Sequence, residues 1–422
     1  MDRPRGLKIR VAWPRAALAL ALCVSAAAVS AADASPPTPP APYTPPFTPS
    51  ADAQVLQQVP PASDPKVREM RTLRARLDKS PKDADTAHQL ADAYVAFGRQ
   101  LGDAHYAGYA EAVLAPWLAL PQPGARTLVI FANILQYRHQ FGEARAALAK
   151  AITRDPKNHQ AWLTLATLDM VQGDYPAASR NCAKVTNSGN VSVGIACTAN
   201  LRTYIGQAQQ SLAMLKVLAN DTPGLTADFK AWLSGLQAEA SERLGKAPEA
   251  EKHYRDALAQ TPEDNFLLVA YADFLLDHDR PKEVLTLLAD HTQSDTAFLR
   301  IVLAQAALKS PELGRYVWTM SARFEALRQR GSEYFGREEV RFALDLQKDA
   351  KTALSLAQDN WKVQREPWDT RVLLQAALAA KQPQAALPAL DFIERNKLQD
   401  PVIEGLAKQL RSSTSKPTGG TP

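Results

Sequence analysis

The chain has 422 residues, with 49 Lys and Arg against 44 Asp and Glu, a formal net charge of +5 and a pI near 9.0. Its hydrophobic fraction of 46% and charged fraction of 22% are those of a folded soluble protein. The excess charge sits at the start (Arg3, Arg5, Lys8, Arg10 and Arg15 against Asp2), and the remainder is neutral to within about one charge, so a nucleic-acid partner has no support.

Met1 to Arg15 is a basic segment, Ala16 to about Val29 an apolar run, and Ser30, Ala31 and Ala32 are small residues suited to cleavage. Residues 1–32 are therefore expected to be a secretory signal peptide, which makes the protein periplasmic or secreted. Left uncleaved, the same run would anchor the chain in the inner membrane, because it nearly reaches spanning length. No other stretch is apolar enough to cross a bilayer, and Leu22 just before Cys23 argues against a lipidation box. Residues 33–63 are rich in proline (Pro36, Pro37, Pro39, Pro40, Pro42, Pro45, Pro46, Pro49, Pro60 and Pro61) and are expected to be a disordered linker of polyproline II character. At full extension such a segment reaches on the order of 90 Å. Its PxxP spacings are open to a docking reading, but a spacer is the simpler one.

From Asp64 the pattern is helical. Asp64-Pro65 reads as an N-cap followed by proline at the first helical position, and Val67, Met70, Leu73 and Leu77 form an apolar stripe that stops at Ser80-Pro81. In 84–119, Leu90, Ala91 and Tyr94 mark one helix, and Pro116 is expected to interrupt the next. A motif then recurs at a period near 34 residues. From Ala125 to Asn158, Leu128, Phe131, Ala132 and Leu135 fall on one helix, Ala144, Leu148 and Ala151 on a second, and Pro156 closes the unit. The same types return at Trp162, Leu165, Ala166, Ala178 and Cys182, and again at Trp232, Leu236, Ala238, Gly245, Ala250, Tyr254, Ala257 and Pro262. Leu268, Tyr271, Ala272, Leu275, Val284 and Leu288 continue the pattern. After Ser310 it loosens: a long helix from Leu313 to Arg330, a pair ending near Pro367, another pair over 370–395, and a capping helix from Val402 to Leu410. The tail 412–422 is expected to be disordered.

These residues resemble the tetratricopeptide repeat family, most strongly over 125–291. The resemblance implies an all-α fold over 64–411, a right-handed superhelical solenoid of antiparallel helix pairs, with about nine pairs. It also implies a scaffold or adaptor that binds a protein or peptide partner in a concave groove lined by the first helix of each pair. Carried over residue by residue, the groove candidates are Asn133, Gln136 and Tyr137, then Gln160, Thr167 and Met170, then Asn200, Thr203 and Tyr204. Trp232, Glu239, Glu242, Arg243, Phe266, Asp273 and Asp277 follow, although Trp232 and Phe266 are equally suited to core positions at repeat junctions. Val129 and Val193 stand where some members of the family carry basic residues that clamp a C-terminal carboxylate, so that clamp is not expected. Export of a glycan or other polymer, as an accessory subunit, is the alternative function.

With the leader gone, Cys182 and Cys197 remain, flanking the Asn187-Ser188-Gly189-Asn190 corner at similar depth. An oxidising compartment favours a disulfide between them, and two buried thiols are the alternative. The seven histidines (His88, His105, His139, His159, His253, His278 and His291) form no HExxH, and GxSxG, P-loop and GxGxxG motifs are lacking. Asp277-His278-Asp279 falls at a helix end, where such residues cap, and Glu338-Glu339 between Arg337 and Arg341 reads as a solvated face. No enzyme activity, cofactor or metal is therefore expected, and the oligomeric state is not readable.

Overall fold

A computed structural model describes residues 61–329 and 336–414. The expected signal peptide, most of the Pro-rich linker and the tail beyond 414 lie outside these residues. Ser412, Ser413 and Thr414, assigned above to the tail, continue the last helix instead.

Among the described residues, α1 (Pro65–Lys79) is followed by nine helix pairs. They are α2 (Ala84–Leu101) with α3 (His105–Leu118), α4 (Ala125–Tyr137) with α5 (Phe141–Arg154), and α6 (His159–Val171) with α7 (Tyr175–Asn187). Next come α8 (Val191–Tyr204) with α9 (Ala208–Asp221), α10 (Ala227–Arg243) with α11 (Ala247–Gln260), and α12 (Asn265–Asp277) with α13 (Pro281–Leu287). The last three are α14 (Asp295–Ala307) with α15 (Leu313–Gln329), α16 (Gly336–Arg341) with α17 (Ala350–Val363), and α18 (Pro367–Ala379) with α19 (Leu387–Asn396). α20 (Pro401–Thr414) closes the array. The protein is an all-α solenoid of stacked helix pairs. No helix among the described residues is long and apolar enough to cross a membrane.

Local chemistry fixes the helix ends. The side chain of Asp64 accepts from the Lys66 N–H at 2.7 Å, and Asp83, Asn158, Asp174 and Ser294 cap α2, α6, α7 and α14 in the same way. The turn inside a pair repeats too. His139, Gly173, Gly206, Gly245, Asp279, Lys309 and Lys381 all have positive φ, and the next residue's N–H returns to the carbonyl five residues before it. Gln140 to Leu135 and Arg280 to Leu275, both at 2.9 Å, are examples of this helix-ending motif. Pro116 does not interrupt α3. It lies in the final turn of α3, which continues to Leu118, so the one helical bond it removes is that to the Ala112 carbonyl.

Small residues set the packing distances. Ala132, Ala144, Ala166 and Ala178 are fully buried, and Gly194 brings α8 so close to Thr186 on α7 that a Cβ there would clash with the Thr186 side chain and backbone. Cys182 on α7 and Cys197 on α8 are bonded across this contact, with Cα atoms 5.5 Å apart.

The array also winds back onto itself. The Arg365 N–H donates to the Val171 carbonyl at 2.8 Å, and a Cβ on Gly173 would meet the Phe392 ring at 2.7 Å. Gly206 abuts the Lys397 carbonyl, and Gly102 abuts Ser294. As a result the largest core joins Met170, Tyr175, Cys182, Cys197 and Tyr204 to Trp361, Leu373, Phe392, Leu398 and Leu410.

Candidate functional site

The groove residues implied by the family resemblance separate into three groups. Phe266 is 71% exposed at the start of α12. Asn133, Gln136, Tyr137, Asn200 and Trp232 are half-buried, as are Thr167, Glu239 and Glu242, while Gln160 is exposed. Met170, Tyr204, Arg243 and Asp273 are buried, as is Thr203, and cannot meet a partner while the fold is intact. The reason is the rewinding of the chain. Met170 and Tyr204 share a core with Phe392, whose ring lies 5.7 Å from Tyr175; Arg243 pairs with Asp400 and, at 3.0 Å, with Glu239. The first half of the array thus receives the second half where an open groove was expected. Trp232 leans on Phe229 at 5.5 Å and on the core of α9 and α10, so it belongs partly to a repeat junction.

A buried ion network runs through this interior. Asp273 accepts from Arg300 at 2.7 and 3.1 Å and from Arg341 at 2.6 Å. Arg300 also donates to the Thr296 carbonyl at 3.1 Å and pairs with Glu338. Arg337 pairs with Glu366 at 3.1 Å and lies near Asp369, which in turn takes the Asn360 amide at 2.9 Å. Arg371 grips Asp277 and stacks 4.2 Å above the Trp368 ring, while Arg341 sits 4.7 Å above the same ring. Burial alone would raise the Asp273 carboxyl, but the two guanidiniums hold it well below the usual range. Glu366 and Asp369 are pushed the other way, first by burial, although Arg337 partly offsets it.

The solvated-face reading of Arg337 to Arg341 is therefore corrected: Arg341 is 7% exposed, and Glu338 faces Arg300. The available signal was Arg300, a charge inside the apolar run Phe298-Leu299-Arg300-Ile301-Val302, which must find a carboxylate when buried. His278 is a helix cap, with Nδ1 2.7 Å from the Phe274 carbonyl. Among the described residues no group of three His, Cys, Asp or Glu is placed to hold a metal ion.

Glu242 supplies a pH dependence. Burial pushes its carboxyl up to about 8, against the hydrogen bond from the Tyr254 hydroxyl at 2.5 Å and the charge of Arg243. The folded state therefore holds a proton that the unfolded chain, titrating near 4.5, has already released. This favours folding below the unfolded value and is lost as pH rises toward 8. Glu242 keeps some solvent access, which discounts the effect to on the order of 2 kcal/mol. Urea titrations should show wild type losing that much relative to Glu242→Gln between about pH 5 and 8. Parallel curves for the two proteins would mean that Glu242 is solvated.

Residues 136–190 match the tetratricopeptide repeat family. That match takes in α5, α6 and α7. The chain is also similar to cellulose synthase operon protein C of Escherichia coli (strain K12), at 28% identity over 165 residues, covering 37% of this chain and 14% of the relative. A putative cellulose synthase operon protein C of Escherichia coli O157:H7 matches over the same shares at the same identity. The chain thus spans about one seventh of the length of the curated relatives it matches. Among solved structures, yeast Tom70 aligns over 83% of this chain and 85% of its own, at 10% identity and a TM-score of 0.40.

Proposed function

We propose that this repeat array is a scaffold subunit of a polysaccharide-export assembly in the cell envelope, docking a protein of that assembly rather than converting a substrate. The observation that carries this reading is the 165-residue similarity to cellulose synthase operon protein C. The basic, apolar, small-residue order of residues 1–32 supports an exported location, periplasmic or secreted. Because Met170, Tyr204, Arg243 and Asp273 are enclosed, the partner meets what remains open on the first helices: Phe266, with Trp232, Tyr137, Asn133, Gln136 and Asn200 half-covered. An exposed ring offers a large contact area at low entropic cost, which is how aromatic anchors work at interfaces.

The test is genetic. Deleting the gene in its host should reduce exported polysaccharide, and wild type should restore it. A Phe266→Ala/Trp232→Ala variant, verified as folded by circular dichroism, should restore it by less than half. Unchanged polysaccharide after deletion would end the export reading. If crosslinks that depend on Phe266 nevertheless persisted, the chain would be a peptide-binding adaptor in another envelope process, the reading that the exposure of Phe266 favours.

A further inference from the structure

We infer that α1 is an electrostatic docking surface for an anionic phospholipid bilayer. Its fifteen residues carry Lys66, Arg68, Arg71, Arg74, Arg76 and Lys79 against only Glu69 and Asp78. At 100° per residue, Met70 and Leu77, with Val67 and Leu73 beside them, face α2 and are consumed in the N-terminal core. The opposite, exposed side carries Arg68, Arg71, Arg76 and Lys79 with Thr72 and Ala75 between them, and its two carboxylates, Glu69 and Asp78, lie at its edges.

The protein itself does not account for this charge. Among the described residues, Arg76 alone of that side has an ion pair, with Asp83 at 3.7 Å. Arg68 donates to the Ser63 carbonyl, and the Lys66 ammonium to the Gln100 side-chain oxygen. Arg76 and Lys79 suit the negative end of the helix dipole, but Lys66 and Arg68 sit at the positive end, where a cation is unfavourable. Arg68, Arg71 and Arg74 are like charges at i,i+3 spacing, each pair costing a few tenths of a kcal/mol in an isolated helix. Repulsion among these basic residues, which outnumber the acids of α1, would be relieved by an external anion.

The shape favours a bilayer over a peptide. A helix of fifteen residues, about 22 Å long, offers an exposed convex side, and its buried apolar face rules out insertion. It is also the first described helix after the apolar run that ends near Val29. Contact is therefore made with headgroup charge alone, each basic residue contributing about a fivefold factor in partitioning. This inference does not depend on the polysaccharide reading.

The experiment is sedimentation of the full chain with phosphatidylglycerol-containing vesicles and with pure phosphatidylcholine vesicles. Wild type should prefer the anionic vesicles, and about 0.5 M salt should abolish the preference. Arg68→Gln/Arg71→Gln/Lys79→Gln should lower it on the order of 100-fold. The charge-retaining Arg68→Lys/Arg71→Lys/Lys79→Arg should keep it, which separates charge from any structural role of these side chains. Equal preference in wild type and the glutamine variant overturns the inference, as does an equal loss on neutral vesicles. Binding to soluble polyglutamate without vesicle binding also overturns it and makes α1 a site for acidic polymers.

Discussion

Replacing Arg300 with alanine should destabilise the protein by on the order of 3–5 kcal/mol, read as a lower urea midpoint. The side chain is 2% exposed and bridges Asp273 on α12 to Glu338 on α16. Removing it leaves Asp273 with Arg341 alone and Glu338 with only Arg337 at 3.9 Å, and the cost is chiefly that of buried charge short of its counter-ion. Arg300→Lys should recover only part of the loss, since one ammonium cannot reproduce the paired donors that Asp273 receives at 2.7 and 3.1 Å. In an Asp273→Asn/Arg300→Met double variant the two losses should add to less than their sum, because the partners are removed together. A loss below about 1 kcal/mol for Arg300→Ala would place this pair among solvent-screened surface bridges and would remove the interior network.

The second large effect concerns Cys182 and Cys197. Bonded across α7 and α8, they close a loop of 15 residues in sequence, for which chain entropy gives a stabilisation of about 3 kcal/mol. Cys182→Ala/Cys197→Ala should lose most of that, and reductant should lower the wild-type midpoint while leaving the variant unchanged. Both residues are buried in the core that receives Phe392 and Leu398, so the loss should also raise hydrogen exchange in α18 to α20. Intact mass of the exported protein reads the bond directly. Free thiols in the oxidised sample would leave two small apolar side chains filling core positions.

Much of the fold was legible because its determinants are local. The cap at Asp64 and the alanines that let helices approach act within a few residues, and such signals marked helices over 125–187 and 227–288, while α9 and α14 were not read. Pro116 does not interrupt α3, because the packing of α3 in the N-terminal core, which the proline's identity does not reveal, outweighs the loss of one helical bond. The candidate site was less legible. Family positions placed Phe266 on an open surface, but they also nominated Met170, Tyr204, Arg243 and Asp273, which are enclosed.

The sequence by itself determined the all-α class and the stacking of helix pairs, because a helix pair is specified by patterning within a single unit. Only the tertiary structure decided what fills the interior. Whether Arg243 meets solvent or Asp400, and whether Arg337 to Arg341 face water or Asp273, depends on how far each pair rotates against the next. That rotation is the sum of many small packing choices across the array. A few degrees at each junction decide whether the coil stays open or meets itself more than a hundred residues later, as it does where Arg365 reaches Val171.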